Sequence, residues 1–148
     1  MKKLLATDNS GVLTFLRVVL GLVMLPHGLQ KVFGLFGGLG FSGQMQAMTQ
    51  GMHIPALFAL LAILTEFLGA LGLITGTLTR LSAFGTAMVM IVAIVMVHQS
   101  NGFFMNWFGN QKGEGFEYHL LALGLALPLL VKGGGAWSVD GKIVPQEA

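Results

Sequence analysis

Between Pro55 and Leu73 the chain is an apolar stretch that holds one ionisable residue, Glu66. A stretch of this kind approaches the ~20 apolar residues that an α-helix needs to cross a bilayer. It constrains the fold more than any other feature. In hydrocarbon, backbone N–H and C=O groups must pair within the protein, so helices and closed barrels are the available solutions. Apolar residues here run on continuously instead of alternating, which selects helices. Three further stretches read the same way, at about 12–33, 81–97 and 117–131, with the first given at 55–75. The last two are short and need flanking residues to complete a span. Composition agrees: the chain is 54% hydrophobic and 9% charged, against ~25% charged in a soluble domain. Too few charges are present to cover a soluble surface. The expected fold is all-α, an integral membrane four-helix bundle forming a single domain over residues 1–148.

The start of the chain does not read as a cleavable signal peptide. Lys2 and Lys3 are followed by Asp8, Asn9 and Ser10, and the apolar run then continues to spanning length. With four spans, Lys2, Lys3, Arg80, Lys132 and Lys142 fall on one side, and Lys31 and Lys112 on the other. The excess of basic residues predicts that both termini are cytoplasmic. The bundle is expected in a bacterial inner membrane, as a multi-pass protein.

Several functions are excluded early. With no cysteine, the chain has no disulfide, no thiol chemistry, no cysteine-ligated cluster and no c-type haem attachment. The formal net charge of +2 comes from scattered residues, without the basic patch and exposed aromatics that nucleic acid requires. No H-E-x-x-H or compact histidine motif is present, so no metal site is assigned.

The ionisable residues inside the spans carry the functional question, because a charge at bilayer depth is costly and persists with a partner or a task. Arg17, Gly21, Met24, Gly28 and Lys31 share one face of the first helix. Glu66 shares a face with Gly69 in the second, and Gly72 and Gly76 form a small-xxx-small pair. Arg17 and Glu66 are expected to pair inside the bundle and fix its register. All four histidines map to the outer layer, together with Lys31 and Glu117. His27, Lys31, His98 and Glu117 are the pocket candidates, since histidine, lysine and carboxylate together suit a quinone head group or an anionic substrate. His53 and His119 look the least internal of the histidines. Residues 34–54 and 99–116 form the longer outer connections. Phe41–Gly51 reads as an interfacial amphipathic helix with Ser42 as N-cap, and Phe103, Phe104, Trp107, Phe108 and Tyr118 as an aromatic belt.

The stretches LRVVLGLVMLPHGLQKVFG, LTEFLGALGLITGTLTRLSA, VHQSNGFF and FEYHLLALGLALPLLVKGGGAWSVD follow one another in this order. From about Leu13 to Asp140 the chain resembles the DoxX family of small four-helix bacterial membrane proteins. The family is similar to subunits of thiosulfate:quinone oxidoreductase and terminal quinol oxidase systems. The resemblance implies a membrane subunit of, or accessory to, a quinone-linked oxidoreductase system, with quinone as candidate ligand and an oxidoreductase subunit as candidate partner beside the lipid bilayer. The family's polar positions correspond here to Arg17, His27, Gly28, Lys31, Glu66, Arg80, His98 and Glu117. Two other readings stand beside this one: a scaffold that assembles a redox complex, and a small-molecule or ion transporter built as a homo-oligomer.

Overall fold

The structure, a computed structural model, describes residues 2–144; Met1 and residues 145–148 lie outside the described residues. Among the described residues all regular structure is helical. The helices are α1 (Lys2–Leu5), α2 (Gly11–Phe33), α3 (Gly40–Gln46), α4 (Ala56–Thr75), α5 (Thr79–Asn101), α6 (Glu117–Lys132) and α7 (Val139–Ile143). Among the described residues, α2, α4 and α5 are long and apolar enough to cross a membrane, at 23, 20 and 23 residues. The protein is thus a helical membrane protein, as the apolar runs predict. The fourth long helix, α6, has 16 residues. At 1.5 Å per residue it reaches about 24 Å, short of a hydrocarbon core of ~30 Å.

Local chemistry sets the helix ends. Ser10 is extended (φ −123, ψ 124) and its side chain accepts from Leu13 N, so it caps α2. Gly34 closes α2 in the left-handed region at φ 72, where a side chain would be strained. α3 continues through a wider π-helical turn, Ala47–Gly51. Ser42 lies inside α3, and the residue before the helix, Leu39, makes no side-chain cap, which corrects the expected N-cap. Met48 buries against Ala59 and Ile63, with Val32 and Ile54 packed around them. Residues 40–51 are thereby seated on α2 and α4.

The main core is made of small and flexible side chains from all four long helices. Leu20 and Met24 of α2 meet Ala70 and Leu73 of α4, Ala83, Ala87 and Met90 of α5, and Ala122, Ala126 and Leu129 of α6. Close backbone approach explains two glycines. A Cβ on Gly21 would stand 2.9 Å from Ala70 O, and one on Gly28 would stand 2.5 Å from Glu66 O. α2 and α4 therefore run with their backbones almost touching, as small residues permit.

At the end where α4 turns into α5, the segment after α6 folds back over the bundle. Arg17 is 2% exposed. Its Nε donates to Gly134 O at 2.8 Å, and its two terminal nitrogens donate to the carbonyls of Leu73, Ile74, Ala136 and Trp137. Leu73 and Ile74 belong to the last turn of α4, whose free carbonyls carry the negative end of the helix dipole. Asp140, 2% exposed, does the reverse. Its carboxylate accepts from Leu78 N and Thr79 N, each at 2.7 Å, at the start of α5. Leu78 sits there at φ 49, an unfavourable region for a branched side chain. Arg80 bonds Ala6 O at 3.0 Å and Leu130 O at 2.8 Å.

Arg17 does not pair with Glu66. The backbone of Glu66 lies level with Gly28, eleven residues further along α2, which is about 16 Å at 1.5 Å per residue, and its carboxylate is paired with Lys31. An arginine side chain cannot bridge that distance, and its guanidinium is held by carbonyls at the end of the neighbouring helix.

Candidate functional site

Glu66 is 6% exposed and lies in a π-helical turn of α4, Thr65–Gly69. Such turns interrupt α-helices and frequently mark functional sites. Its partner is Lys31, one turn from the loop end of α2, which forms an ion pair with the Glu66 carboxylate. The two are brought together because Gly28, three residues before Lys31, lets α2 lie against the backbone of Glu66 and Phe67. The Lys31 side chain is 21% exposed and that of Glu66 7%. The pair is therefore mostly buried, with the lysine as its more accessible member.

The space beside this pair is a long groove between α4 and α5, roofed at the loop end by residues 44–53. Its volume is about 1210 Å³, above the ~300–1,000 Å³ of ordinary ligand pockets. Its walls include Phe58, Leu61, Phe84, Met88 and Val92, and Lys31 and Glu66 are among the few charged groups on them. The groove flanks are exposed apolar side chains, so in a membrane it opens to lipid.

A second cluster lies on the α6 side of Glu66. The His98 and His119 rings are 4.1 Å apart, His119 and Tyr118 5.6 Å, and Tyr118 and His27 6.3 Å. His27 is within electrostatic reach of both Lys31 and Glu66. His98 Nδ1 bonds the carbonyl of Glu114 at 2.8 Å. A carbonyl only accepts, so Nδ1 carries the hydrogen and, in the neutral ring, Nε2 is left as the acceptor. His119 is 6% exposed, and its ring has the carbonyl of Phe116, one turn earlier, as a hydrogen-bond partner.

The four pocket candidates thus divide. His27 and Lys31 come together with Glu66. His98 joins His119 at the loop end. Glu117 turns the other way, its carboxylate accepting from Met105 N at 3.1 Å and from Trp107 Nε1 at 3.3 Å. It holds the loop over residues 102–116, which crosses back on itself through bonds from Gly115 N to Phe104 O and from Glu117 N to Phe103 O. Sequence reasoning placed His119 near the surface. The signal that marks it as internal is its spacing: His119, Ala122, Ala126 and Leu129 are the buried residues of α6, a helical stripe of one histidine and three apolar side chains. Asp140 was likewise missed, lying in a segment that reads as a short terminal extension.

Fold and site together define a helical integral membrane protein with a polar layer buried between its long helices. The chain belongs to the DoxX family: the family profile matches residues 12–99. It is 30% identical over 140 residues to the inner membrane protein YqjF of Escherichia coli (strain K12), a match covering 95% of each chain. The protein is accordingly placed in the bacterial inner membrane. No solved structure matches the chain.

Proposed function

We propose that this chain is the membrane subunit of a quinone-linked oxidoreductase system, with the quinone in the groove between α4 and α5 and its head at Lys31–Glu66. The carrying observation is the groove itself, apolar along its walls and open to lipid, with one buried ion pair at the side. A lipid-soluble molecule with a polar head needs that combination. Lys31 has three donors and is only partly used by Glu66, so its ammonium is free to donate to a head-group oxygen. Glu66 fixes the lysine, and His27 stands beside them. The chain has no cysteine with which to ligate an iron–sulfur cluster, and the electrons pass to or from a partner oxidoreductase subunit. In this reading α6 is the fourth span, shortened by its flanking loops. The turn between α4 and α5, with residues 2–10 and 133–144, faces the cytoplasm, in keeping with the basic residues gathered there.

The test is binding of a ubiquinone analogue to the full chain in lipid nanodiscs. Wild type is expected to bind saturably. The Lys31→Met, Glu66→Leu double variant, which leaves no unpaired charge, is expected to bind at least tenfold more weakly. Wild-type binding no tighter than to an unrelated helical bundle of the same size ends the proposal.

A further inference from the structure

We propose that the hydroxyls of Thr65 and Ser82 form a second polar station in the groove between α4 and α5, taking one oxygen of a flat head group whose opposite oxygen is held by Lys31. The ligand class is a lipid-soluble ring with oxygens at its two ends. α4 and α5 pack together from the Thr65–Gly69 turn down to the turn that joins them, and part on the loop side of it. The groove is therefore a wedge, with Thr65 at its apex, next in sequence to Glu66. A Cβ on Gly85 would stand 2.8 Å from Thr65 Cγ2, and Ser82 precedes Gly85 by about one helical turn. The two side chains converge on Gly69: a Cβ there would stand 3.6 Å from Thr65 Cγ2 and 4.0 Å from Ser82 Cβ. Both residues line the groove.

The fold leaves these two hydroxyls idle. A threonine inside a helix can bond the carbonyl four residues earlier, and Thr14, Thr49 and Thr75 all do so. The Thr65 hydroxyl has no hydrogen-bond partner among the described residues, and neither has that of Ser82, which is 9% exposed. A hydroxyl facing hydrocarbon cannot turn to water instead, so leaving it unbonded costs free energy. Successive helix residues point about 100° apart, so Glu66 turns toward Lys31 of α2 while Thr65 turns toward Gly85 of α5. A head group lodged in the wedge meets an ammonium on one flank and two hydroxyls on the other. An ammonium only donates, whereas a hydroxyl donates or accepts, so the station serves a carbonyl and equally the hydroxyl that reduction makes of it. The floor is low because Gly69, Gly72 and Gly85 carry no side chain there. A tapering slot with a bare floor admits the edge of a flat ring and excludes a branched head. This inference rests on the groove being the ligand site proposed above.

The measurement is binding to the full chain in lipid nanodiscs of two probes with the same alkyl tail, a benzoquinone with opposite carbonyls and a cyclohexenone with one. The single oxygen of the cyclohexenone goes to the ammonium, the stronger donor. The Thr65→Val, Ser82→Ala double variant is expected to weaken the benzoquinone about tenfold and the cyclohexenone by no more than about twofold. Because neither hydroxyl has a partner in the fold, thermal melts of that variant should not fall below wild type. Thr65→Ser, which keeps a hydroxyl, is expected to retain most of the affinity. Unchanged benzoquinone affinity in the double variant overturns the station. Equal weakening of both probes does so too, since it reports a lost groove shape and not a lost bond to one oxygen. If Lys31→Met, Glu66→Leu still weakens binding in either case, the groove stands as a ligand site without the station. Wild-type binding of both probes no tighter than to an unrelated helical bundle ends both proposals.

Discussion

Arg17 and Glu66 are the two buried charges that a reading of the chain would join, and the structure gives each a different partner. Their separation along α2 has a measurable consequence. Stability losses of Arg17→Leu and Glu66→Leu should add to within about 0.5 kcal/mol in the double variant, as for sites that share no contact. Lys31 and Glu66, by contrast, are coupled. Glu66→Leu alone leaves an ammonium half-buried and unpaired, a loss of about 2–3 kcal/mol given its partial exposure, and adding Lys31→Met should restore most of it. Melting curves in one detergent decide both cases. The misassignment has a physical origin. Sequence gives the order of charges along each helix but not how far one antiparallel helix is shifted past its neighbour. That shift is set by where Gly21 and Gly28 allow the backbones to touch, and their place on one helix face does not say which residues of the neighbour they meet.

Among the elements, the long helices were readable from continuous apolar runs, and their extents agree with expectation to within a few residues. The exception is α5, which runs on past 97 to Asn101 because the polar residues His98–Asn101 continue the coil in tighter and wider turns. The contact between α2 and α4 is the most demanding of the interfaces. Gly28→Ala places a methyl group against the Glu66 carbonyl and must part the two helices, at about 1–3 kcal/mol, and it should also displace Lys31 from Glu66. The start of α5 is the reverse case. Leu78 is held at φ 49 with its N–H on Asp140. Leu78→Gly should leave stability unchanged or raise it by up to about 1 kcal/mol, whereas Asp140→Ala removes the acceptor for two N–H groups at once and should cost about 2 kcal/mol. What lies outside the helices was least legible. The loop over 102–116 is stitched by side-chain bonds to Glu114 and Glu117, pairings that no periodicity in the sequence announces.

For the whole molecule, the open question of orientation is unusually accessible, because the chain has no cysteine of its own. Trp107 is 79% exposed on the loop at one end, and Lys142 lies in α7 at the other. A single cysteine at Trp107 should react with an impermeant maleimide in intact spheroplasts. One at Lys142 should react only after permeabilisation. The opposite pattern would reverse the assignment of faces.

The bonds of Arg17 also fix when the bundle can be finished. Its Nε acceptor, Gly134 O, lies 117 residues further along the chain. When α2 first enters the membrane that carbonyl has not been synthesised, and neither have those of Leu73, Ile74, Ala136 and Trp137. Until then the guanidinium has to find other acceptors, such as water or lipid phosphates. Its own set is complete only once the segment after α6 has been made. Completion of this protein is thus a late event, timed by translation, and a ribosome stalled before residue 134 would leave a helix that is threaded but not locked.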